Sequence, residues 1–124
     1  MSAKILVVDD SVSVRQQVRV TLEQQGFDVV EACDGLEGVA TIAGGNIDCV
    51  VCDVNMPNMN GIEMIKKVKA DGANEALPIL MLTTEGAKEL IMQAKAAGAS
   101  GWIVKPFKAD LLVAAVQKLT LASV

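Results

Sequence analysis

Short apolar runs alternate along the chain with longer segments in which apolar residues recur every three or four positions. Each run is apolar on consecutive positions, which is typical of a parallel strand covered by helices on both faces. The pattern predicts five strands, at residues 4–9, 27–32, 47–52, 77–82 and 101–105.

The segments between these runs have the period of amphipathic helices. In the first of them, Val14, Val18 and Leu22 follow one another at four-residue spacing. Ser11 is a suitable N-cap before this segment, and Gly26 is a suitable stop after it. Helices are predicted at residues 11–25, 35–43, 61–70, 86–97 and 108–121.

Strict alternation of strand and helix predicts the fold class. Strand–helix units with no internal repeat and no linker indicate an α/β protein with a single doubly wound, five-stranded parallel sheet flanked by five helices. A length of 124 residues suits one domain with a core of its own.

Composition and charge argue against several classes of protein. The chain is 52% hydrophobic, has a formal net charge of −4 and contains no basic block, so nucleic-acid binding has little support. It shows neither a signal peptide nor an apolar run long enough to span a membrane, which predicts a cytoplasmic protein.

Two of the three cysteines lie in the sequence CVVC at residues 49–52, a spacing also found in redox and zinc sites. The segment has the pattern of a strand, in which Cys49 and Cys52 point to opposite faces. The chain has no His and only Cys33 besides these two, so it has too few ligands for a typical zinc site. We interpret both cysteines as small buried apolar residues.

Polar side chains stand where four of the five predicted strands end. They are Asp9 and Asp10 after the first strand, Asp53 after the third, Thr83 after the fourth and Lys105 on the fifth. Open parallel sheets bind ligands at the carboxyl ends of their strands. If the strand order is 2-1-3-4-5, these four strands are neighbours and their end groups converge. Strand 2, whose Cys-Asp-Gly end has no predicted role, then lies at the edge.

Three carboxylates at one place repel one another unless a cation is present. Oxygen ligands without His or Cys favour Mg²⁺. A carboxylate beside Mg²⁺, an ammonium and a hydroxyl has what phosphoryl transfer requires, because the positive charges neutralise the phosphoryl oxygens while the carboxylate attacks. The pattern predicts that Asp53 is this nucleophile and becomes an acyl phosphate.

The residues at these strand ends belong to longer motifs of a known family. With ILVVDDS, DCVVCDVNMPNMNGIEMI, PILMLTTE and ASGWIVKPF, nearly the whole chain resembles the receiver domains of two-component response regulators, most closely the stand-alone chemotaxis (CheY) type. The resemblance implies a flavodoxin-like fold. CheY is itself a standard example of the 2-1-3-4-5 order, so that order is in part an implication of the resemblance. It also implies that residues 1–124 form one receiver domain with no output domain.

The resemblance implies a role for each matching position at the acidic end of the sheet. Asp53 would be the phosphoacceptor. Asp10, Asp53 and the backbone carbonyl of Asn55 would ligate Mg²⁺, and Asp9 would contribute through water. Asn55, together with Glu85, would also influence the attacking water, and both match the chemotaxis type, which implies a short-lived phosphoprotein.

The resemblance also implies a switch. Thr83 would donate its hydroxyl to the phosphoryl group, and Lys105 would pair with a phosphoryl oxygen, its bond to Pro106 being cis. In the family, phosphorylation draws the Thr inward and an aromatic on strand 5, here Trp102, rotates after it. The surface formed by helix 4, strand 5 and helix 5, where partners bind, is then repacked.

The implied partners are a histidine kinase of the chemotaxis (CheA-like) kind and a downstream protein target. Neither nucleic acid nor a membrane is expected as a partner, and the chain is expected to be a monomer. The flagellar motor switch follows less directly, because Trp102 stands where the chemotaxis type carries Tyr and lacks the phenol oxygen. The chain is predicted not to be an enzyme beyond reactions on its own Asp53. The alternative output is transfer of the phosphate to a His phosphotransfer domain.

Other functions known on similar folds fit less well. A Mg²⁺-dependent phosphatase of the haloacid-dehalogenase type needs a second Asp two residues after the nucleophile, and Asn55 cannot transfer a proton there. A flavin or dinucleotide module needs a phosphate-binding loop after strand 1, where DDSVSVR places two negative charges instead. A purely structural receiver remains open, although the intact acidic set argues against it.

Overall fold

Strand and helix alternate along the chain in the computed structural model, which describes residues 3–70, 72–84 and 88–122. The strands are β1 Lys4–Val8, β2 Asp28–Ala32, β3 Cys49–Cys52, β4 Ile79–Thr83 and β5 Gly101–Val104. The helices are α1 Val12–Glu23, α2 Gly35–Ala43, α3 Gly61–Ala70, α4 Lys88–Ala97 and α5 Ala109–Ala122, and a short 3-10 helix lies at Gly72–Asn74. The predicted α/β fold class is confirmed.

The strands pair in parallel to form one sheet in the order β2-β1-β3-β4-β5, as predicted. In this register Val8 at the end of β1 lies beside Cys52 at the end of β3. Thr83 at the end of β4 likewise lies beside Val104 at the end of β5. Residues that directly follow these strands therefore meet at one edge of the sheet.

Local signals in the sequence explain several element boundaries. Ser11 is the N-cap of α1, and its hydroxyl accepts a hydrogen bond from the N–H of Val14 at 3.3 Å. Gly26 ends the turn after α1 with φ +89°, a conformation that glycine adopts without steric cost. β4 begins at Ile79 rather than at residue 77, because the preceding Pro78 has no N–H to donate to the sheet.

The predicted start of helix 4 at residue 86 falls outside the described residues, which resume at Lys88 within α4. In the part of the chain that the structure describes, no helix is long and apolar enough to cross a membrane.

Two apolar layers pack on opposite faces of the sheet, one beneath α1 and α5 and the other beneath α2, α3 and α4. Cys49 belongs to the first layer and Cys52 to the second, and both side chains are buried. Burial raises the pKa of the Cys49 thiol to about 12 and also raises the pKa of Cys52. The two cysteines therefore behave as apolar core residues, in agreement with the interpretation of CVVC.

Candidate functional site

The carboxylates that follow β1 and β3 form one cluster at the carboxyl edge of the sheet. Asp9, Asp10 and Asp53 each offer an oxygen, and these oxygens lie within 4.8 Å of one another. Asp9 and Asp53 are 2% and 7% exposed, whereas Asp10 is open to solvent. A ligand could therefore reach the cluster from the side of Asp10.

The ammonium of Lys105 contacts two of these carboxylates. Its Nζ lies 2.8 Å from Asp9 Oδ2 and 3.3 Å from Asp53 Oδ2. The other carboxylate oxygens are held by backbone: Asp9 Oδ1 accepts the N–H of Ser11 at 2.9 Å, and Asp53 Oδ1 accepts the N–H of Val54 at 2.7 Å. Both buried carboxylates thus have a fixed orientation before any ligand binds.

Burial and charge act against each other on these groups. Burial raises the pKa of Asp9 above its ordinary value, although the hydrogen bond from Lys105 opposes the shift. Burial alone would lower the pKa of Lys105, but its hydrogen bond to Asp9 and the charge of Asp53 leave that pKa raised. Lys105 therefore keeps its positive charge at neutral pH.

The formal charges of the cluster favour the binding of a cation. Ionised Asp9, Asp10 and Asp53 carry three negative charges, and Lys105 balances one of them. Two negative charges are left, which a divalent cation would neutralise. Because the donors are carboxylate oxygens, the set fits a hard cation such as Mg²⁺ better than zinc.

Thr83 is the last residue of β4 and is fully buried. Its backbone carbonyl accepts the N–H of Lys105 at 2.8 Å, which ties the end of β4 to the start of the loop after β5. The bond from Lys105 to Pro106 is cis, as predicted. The register of the two strands thereby fixes the backbone of Lys105 next to Thr83.

Trp102 lies on β5 opposite Met81, two residues before the end of the strand. Because side chains alternate along a strand, Thr83 faces the same side of the sheet as Met81. Trp102 packs against the core layer beneath α4, and its indole Nε1 is buried without a hydrogen-bond partner. The two proposed switch residues thus share one face of the sheet, on neighbouring strands.

The structure brings four of the predicted site residues together. Asp9, Asp10, Asp53 and Lys105 meet in one place, and Thr83 ends the adjoining strand. Of the other predicted site residues, Asn55 is exposed in the loop after β3, Trp102 packs against the core layer, and Glu85 lies outside the described residues. The chemical roles of all these residues stay predictions.

An arginine cluster behind Asp9 was not predicted. Arg15 donates from Nη1 to the Asp9 carbonyl at 2.5 Å and from Nε to Glu31 Oε1 at 3.0 Å. Arg19 lies 2.5 Å from Glu31 Oε2. Burial opposes the charge of Glu31, but these arginines lower its pKa below the ordinary value. The four-residue spacing of the two arginines places them on one face of the predicted helix. Nothing in the sequence identified their partner on β2.

A second missed residue is Asp34, in the Cys-Asp-Gly that received no role. It is the N-cap of α2, and its Oδ1 accepts the N–H of Glu37 at 2.9 Å. Its Oδ2 accepts from Asn58 Nδ2 at 2.7 Å. The Asp and the Glu three residues later were a readable capping signal, but the contact with Asn58 depends on the loop conformation.

Comparison with known proteins points to one family. Residues 5–117 match the family described as response regulator receiver domain. The chain is 43% identical over 117 residues to chemotaxis protein CheY-3 of Vibrio cholerae, covering 94% of this chain and 90% of the relative. It is 39% identical to chemotaxis protein CheY of Pseudomonas aeruginosa, over 94% of each chain.

Solved structures with the same fold include chemotaxis proteins. The structure of Vibrio cholerae CheY4 aligns with a TM-score of 0.91 at 44% identity, covering 96% of this chain and 99% of that one. A putative response regulator from Chloroflexus aurantiacus aligns with a TM-score of 0.93 at 30% identity, covering 98% and 99% of the two chains.

Proposed function

Because this chain belongs to the response regulator receiver domain family, we propose that it is a phosphoacceptor signalling protein of a chemotaxis-type two-component pathway. The proposed donor is a histidine kinase, and the proposed location is the cytoplasm, where such kinases phosphorylate receivers. The observation that carries the proposal is the meeting of Asp9, Asp10, Asp53 and Lys105 at the carboxyl edge of the sheet.

Asp53 is the proposed nucleophile. An oxygen lone pair of its carboxylate forms the new bond to phosphorus, while the bond from phosphorus to the donor breaks and its electron pair leaves with the donor. The donor is a phosphohistidine nitrogen of the kinase or, in vitro, the acetate of acetyl phosphate. The N–H of Val54 holds Asp53 Oδ1 in place, and Oδ2 lies on the side of Lys105.

Lys105 and Thr83 have supporting roles in this step. The ammonium would move from its carboxylate partners to a phosphoryl oxygen, which it can do without losing its charge. The Thr83 hydroxyl would donate to another phosphoryl oxygen. A groove of about 900 Å³ between α1 and the loop after β5 is lined in part by Thr84 and Lys105 and lies next to this end of the sheet.

Receiver domains generally bind Mg²⁺, and the oxygen donors of this chain fit that ion. We propose that Asp10, Asp53 and the backbone carbonyl of Asn55 would hold it, with Asp9 contributing through water. When bound, the ion supplies positive charge that stabilises the phosphoryl oxygens in the transition state.

Asp10→Ala is expected to weaken Mg²⁺ binding by roughly a hundredfold or more, since it removes a carboxylate of the cluster itself. Loss of a residue that only orients a metal ligand already costs roughly ten- to hundredfold. Isothermal calorimetry of the variant and wild type would measure the two dissociation constants. Asp28→Ala, an exposed carboxylate at the amino end of β2, is the control for lost charge and should bind as wild type does. Equal affinity in Asp10→Ala and wild type would remove Asp10 from the site.

The proposed function can be tested with Trp102, the single tryptophan of the chain. Wild type would be titrated with Mg²⁺ and then with beryllofluoride, an analogue of the phosphoryl group, while fluorescence is recorded. We expect a change on beryllofluoride addition that requires Mg²⁺, because Trp102 shares its sheet face with Thr83. Intact-mass measurement after acetyl phosphate should show one added phosphoryl group. Absence of that adduct, together with an unchanged fluorescence, would contradict the proposal.

Output is proposed to occur through the surface of α4, β5 and α5. Among the described side chains, large apolar ones that are about half exposed include one on each of these elements, Met92, Val104 and Leu111, and others on α1 and α2. The choice of this surface follows the family, since single exposed apolar side chains are common on any protein surface. CheY-like receivers interact with downstream targets. For this chain we propose a chemotaxis target such as the flagellar motor switch.

Of two alternatives, one has a direct test and the other is disfavoured by the sequence. A phosphorelay intermediate would pass the phosphate from Asp53 to a His phosphotransfer domain, which transfer assays with labelled protein would reveal. A phosphatase acting on separate substrates is disfavoured because Asn55 occupies the position that a general acid requires. We therefore propose that the chain's own Asp53 is the site of both phosphorylation and dephosphorylation.

A further inference from the structure

The loop between β3 and α3, residues 53–60, reaches across the edge of the sheet to the turn between β2 and α2. Asn58 Nδ2 donates to Asp34 Oδ2 at 2.7 Å, a hydrogen bond that we call the loop latch. Beside it, the N–H of Gly35 donates to the Met59 carbonyl at 3.2 Å. Because β1 lies between β2 and β3, these bonds join two connections that are not neighbours in the sheet.

Both partners of the loop latch are held in place by backbone. Asn58 has φ +68°, a left-handed conformation that Asn tolerates better than most residues. Asp34 caps α2 through Oδ1, which accepts the N–H of Glu37, and this leaves Oδ2 directed at Asn58. The N–H of Glu37 and then the amide of Asn58 lower the pKa of Asp34, so the acceptor is ionised at neutral pH.

The two connections are also packed closely. A Cβ atom on Gly35 would lie 2.5 Å from the Met59 carbonyl oxygen, so only glycine permits this approach. At the base of the loop, the N–H of Gly61 donates to the Val54 carbonyl at 2.9 Å. Residues 55–57 are therefore held on one side by this base and on the other by the loop latch.

We propose that Asp34 and Asn58 are positioning residues that hold the β3–α3 loop, and with it the backbone carbonyl of Asn55, in place for a divalent cation. This inference rests on the proposed function. A carbonyl that is ordered before the cation arrives costs no ordering free energy when the cation binds. Without the loop latch, residues 55–57 would have to be ordered on binding, and the affinity for the cation would fall.

The variants separate the loop latch from the other roles of its residues. Asn58→Gly removes the amide but keeps a residue that favours φ above zero. Asp34→Ser keeps an N-cap oxygen for Glu37 but is too short to offer a second one to Asn58. Asn46→Gly is the matched control, because Asn46 has φ +70° and lies between α2 and β3, at the opposite end of the sheet.

Three quantities are measured on the full chain: the Mg²⁺ dissociation constant by calorimetry, amide hydrogen exchange across residues 54–61 without Mg²⁺, and the urea midpoint of unfolding. Asn58→Gly and Asp34→Ser should each weaken Mg²⁺ binding roughly tenfold, at the lower end of the range for residues that orient a metal ligand. The double variant should be no weaker than the singles, because both remove the same bond. Hydrogen exchange of the loop amides should be faster in both single variants and in the double variant, while Asn46→Gly should match wild type.

A purely structural role for Asp34 and Asn58 would lower the urea midpoint and leave the Mg²⁺ dissociation constant unchanged, and this result would overturn the inference. Weakening that adds up in the double variant would also overturn it, because the residues would then act separately. If wild type itself does not bind Mg²⁺, the proposed function fails and the loop latch fails with it. Binding by wild type with unchanged affinity in the variants would overturn the loop latch alone.

Discussion

Asp53→Asn is expected to take up no phosphoryl group from acetyl phosphate, whereas wild type should take up one when Mg²⁺ is present. The amide has the shape of the carboxylate but lacks its charge and cannot form a stable acyl phosphate. Because the N–H of Val54 and the ammonium of Lys105 already orient Asp53, another carboxylate is poorly placed to replace it. Intact-mass spectrometry with and without Mg²⁺ would measure the adduct.

Two controls make this result specific. Asp28→Asn makes the same charge change at an exposed position on the amino end of β2 and should be labelled as wild type is. Asp53→Asn should also remain folded, because it relieves repulsion among the carboxylates while losing one contact with Lys105. We expect its free energy of unfolding to be no lower than that of wild type, because Lys105 keeps its ion pair with Asp9 and the remaining carboxylates lose a repelling neighbour. Labelling of Asp53→Asn at the wild-type level would refute the assignment.

Much of the fold and the centre of the site could be predicted because both follow from one periodic pattern. Parallel strands buried on both faces are apolar at consecutive positions, so their ends are marked by the first polar residue. In a parallel sheet all carboxyl ends lie at the same edge. The positions of Asp9, Asp53, Thr83 and Lys105 therefore followed from strand ends and strand order, and that order was in part implied by the family resemblance.

The contacts that could not be predicted depend on loop and rotamer geometry. The loop latch between Asp34 and Asn58 requires a left-handed residue in the β3–α3 loop, and periodicity does not report loop dihedral angles. The contact of Arg15 with Glu31 joins a helix to a strand. The two residues are far apart in the sequence, and hydrophobic periodicity does not predict such a contact. Trp102 packs inward, with its indole Nε1 lacking a partner. Its rotamer cannot be predicted from the residue type alone.

Gly61→Ala is expected to lower the free energy of unfolding by about 3 kcal/mol, at the upper end of the range for overpacking a core. A Cβ atom at this position would lie 2.1 Å from the backbone carbonyl oxygen of Asp53 and 3.0 Å from the end of Met81. The first obstacle is backbone and cannot rotate away. The start of α3 cannot easily retreat either, because Asn60 and Glu63 exchange hydrogen bonds across its first turn.

The same substitution should also slow phosphorylation, since the clash moves the backbone of the nucleophile itself. The displaced Gly61 would lose its hydrogen bond to the Val54 carbonyl, and Val54 in turn holds the Asp53 carboxylate. Urea unfolding and the rate of labelling by acetyl phosphate would measure the two effects. Gly72→Ala is the matched control: nothing lies within 4 Å of its added Cβ, so it should be neutral or stabilising by up to about 1 kcal/mol. Wild-type stability and labelling in Gly61→Ala would show that the α3 terminus can shift without moving Asp53, and that the site depends less on this close contact than its geometry indicates.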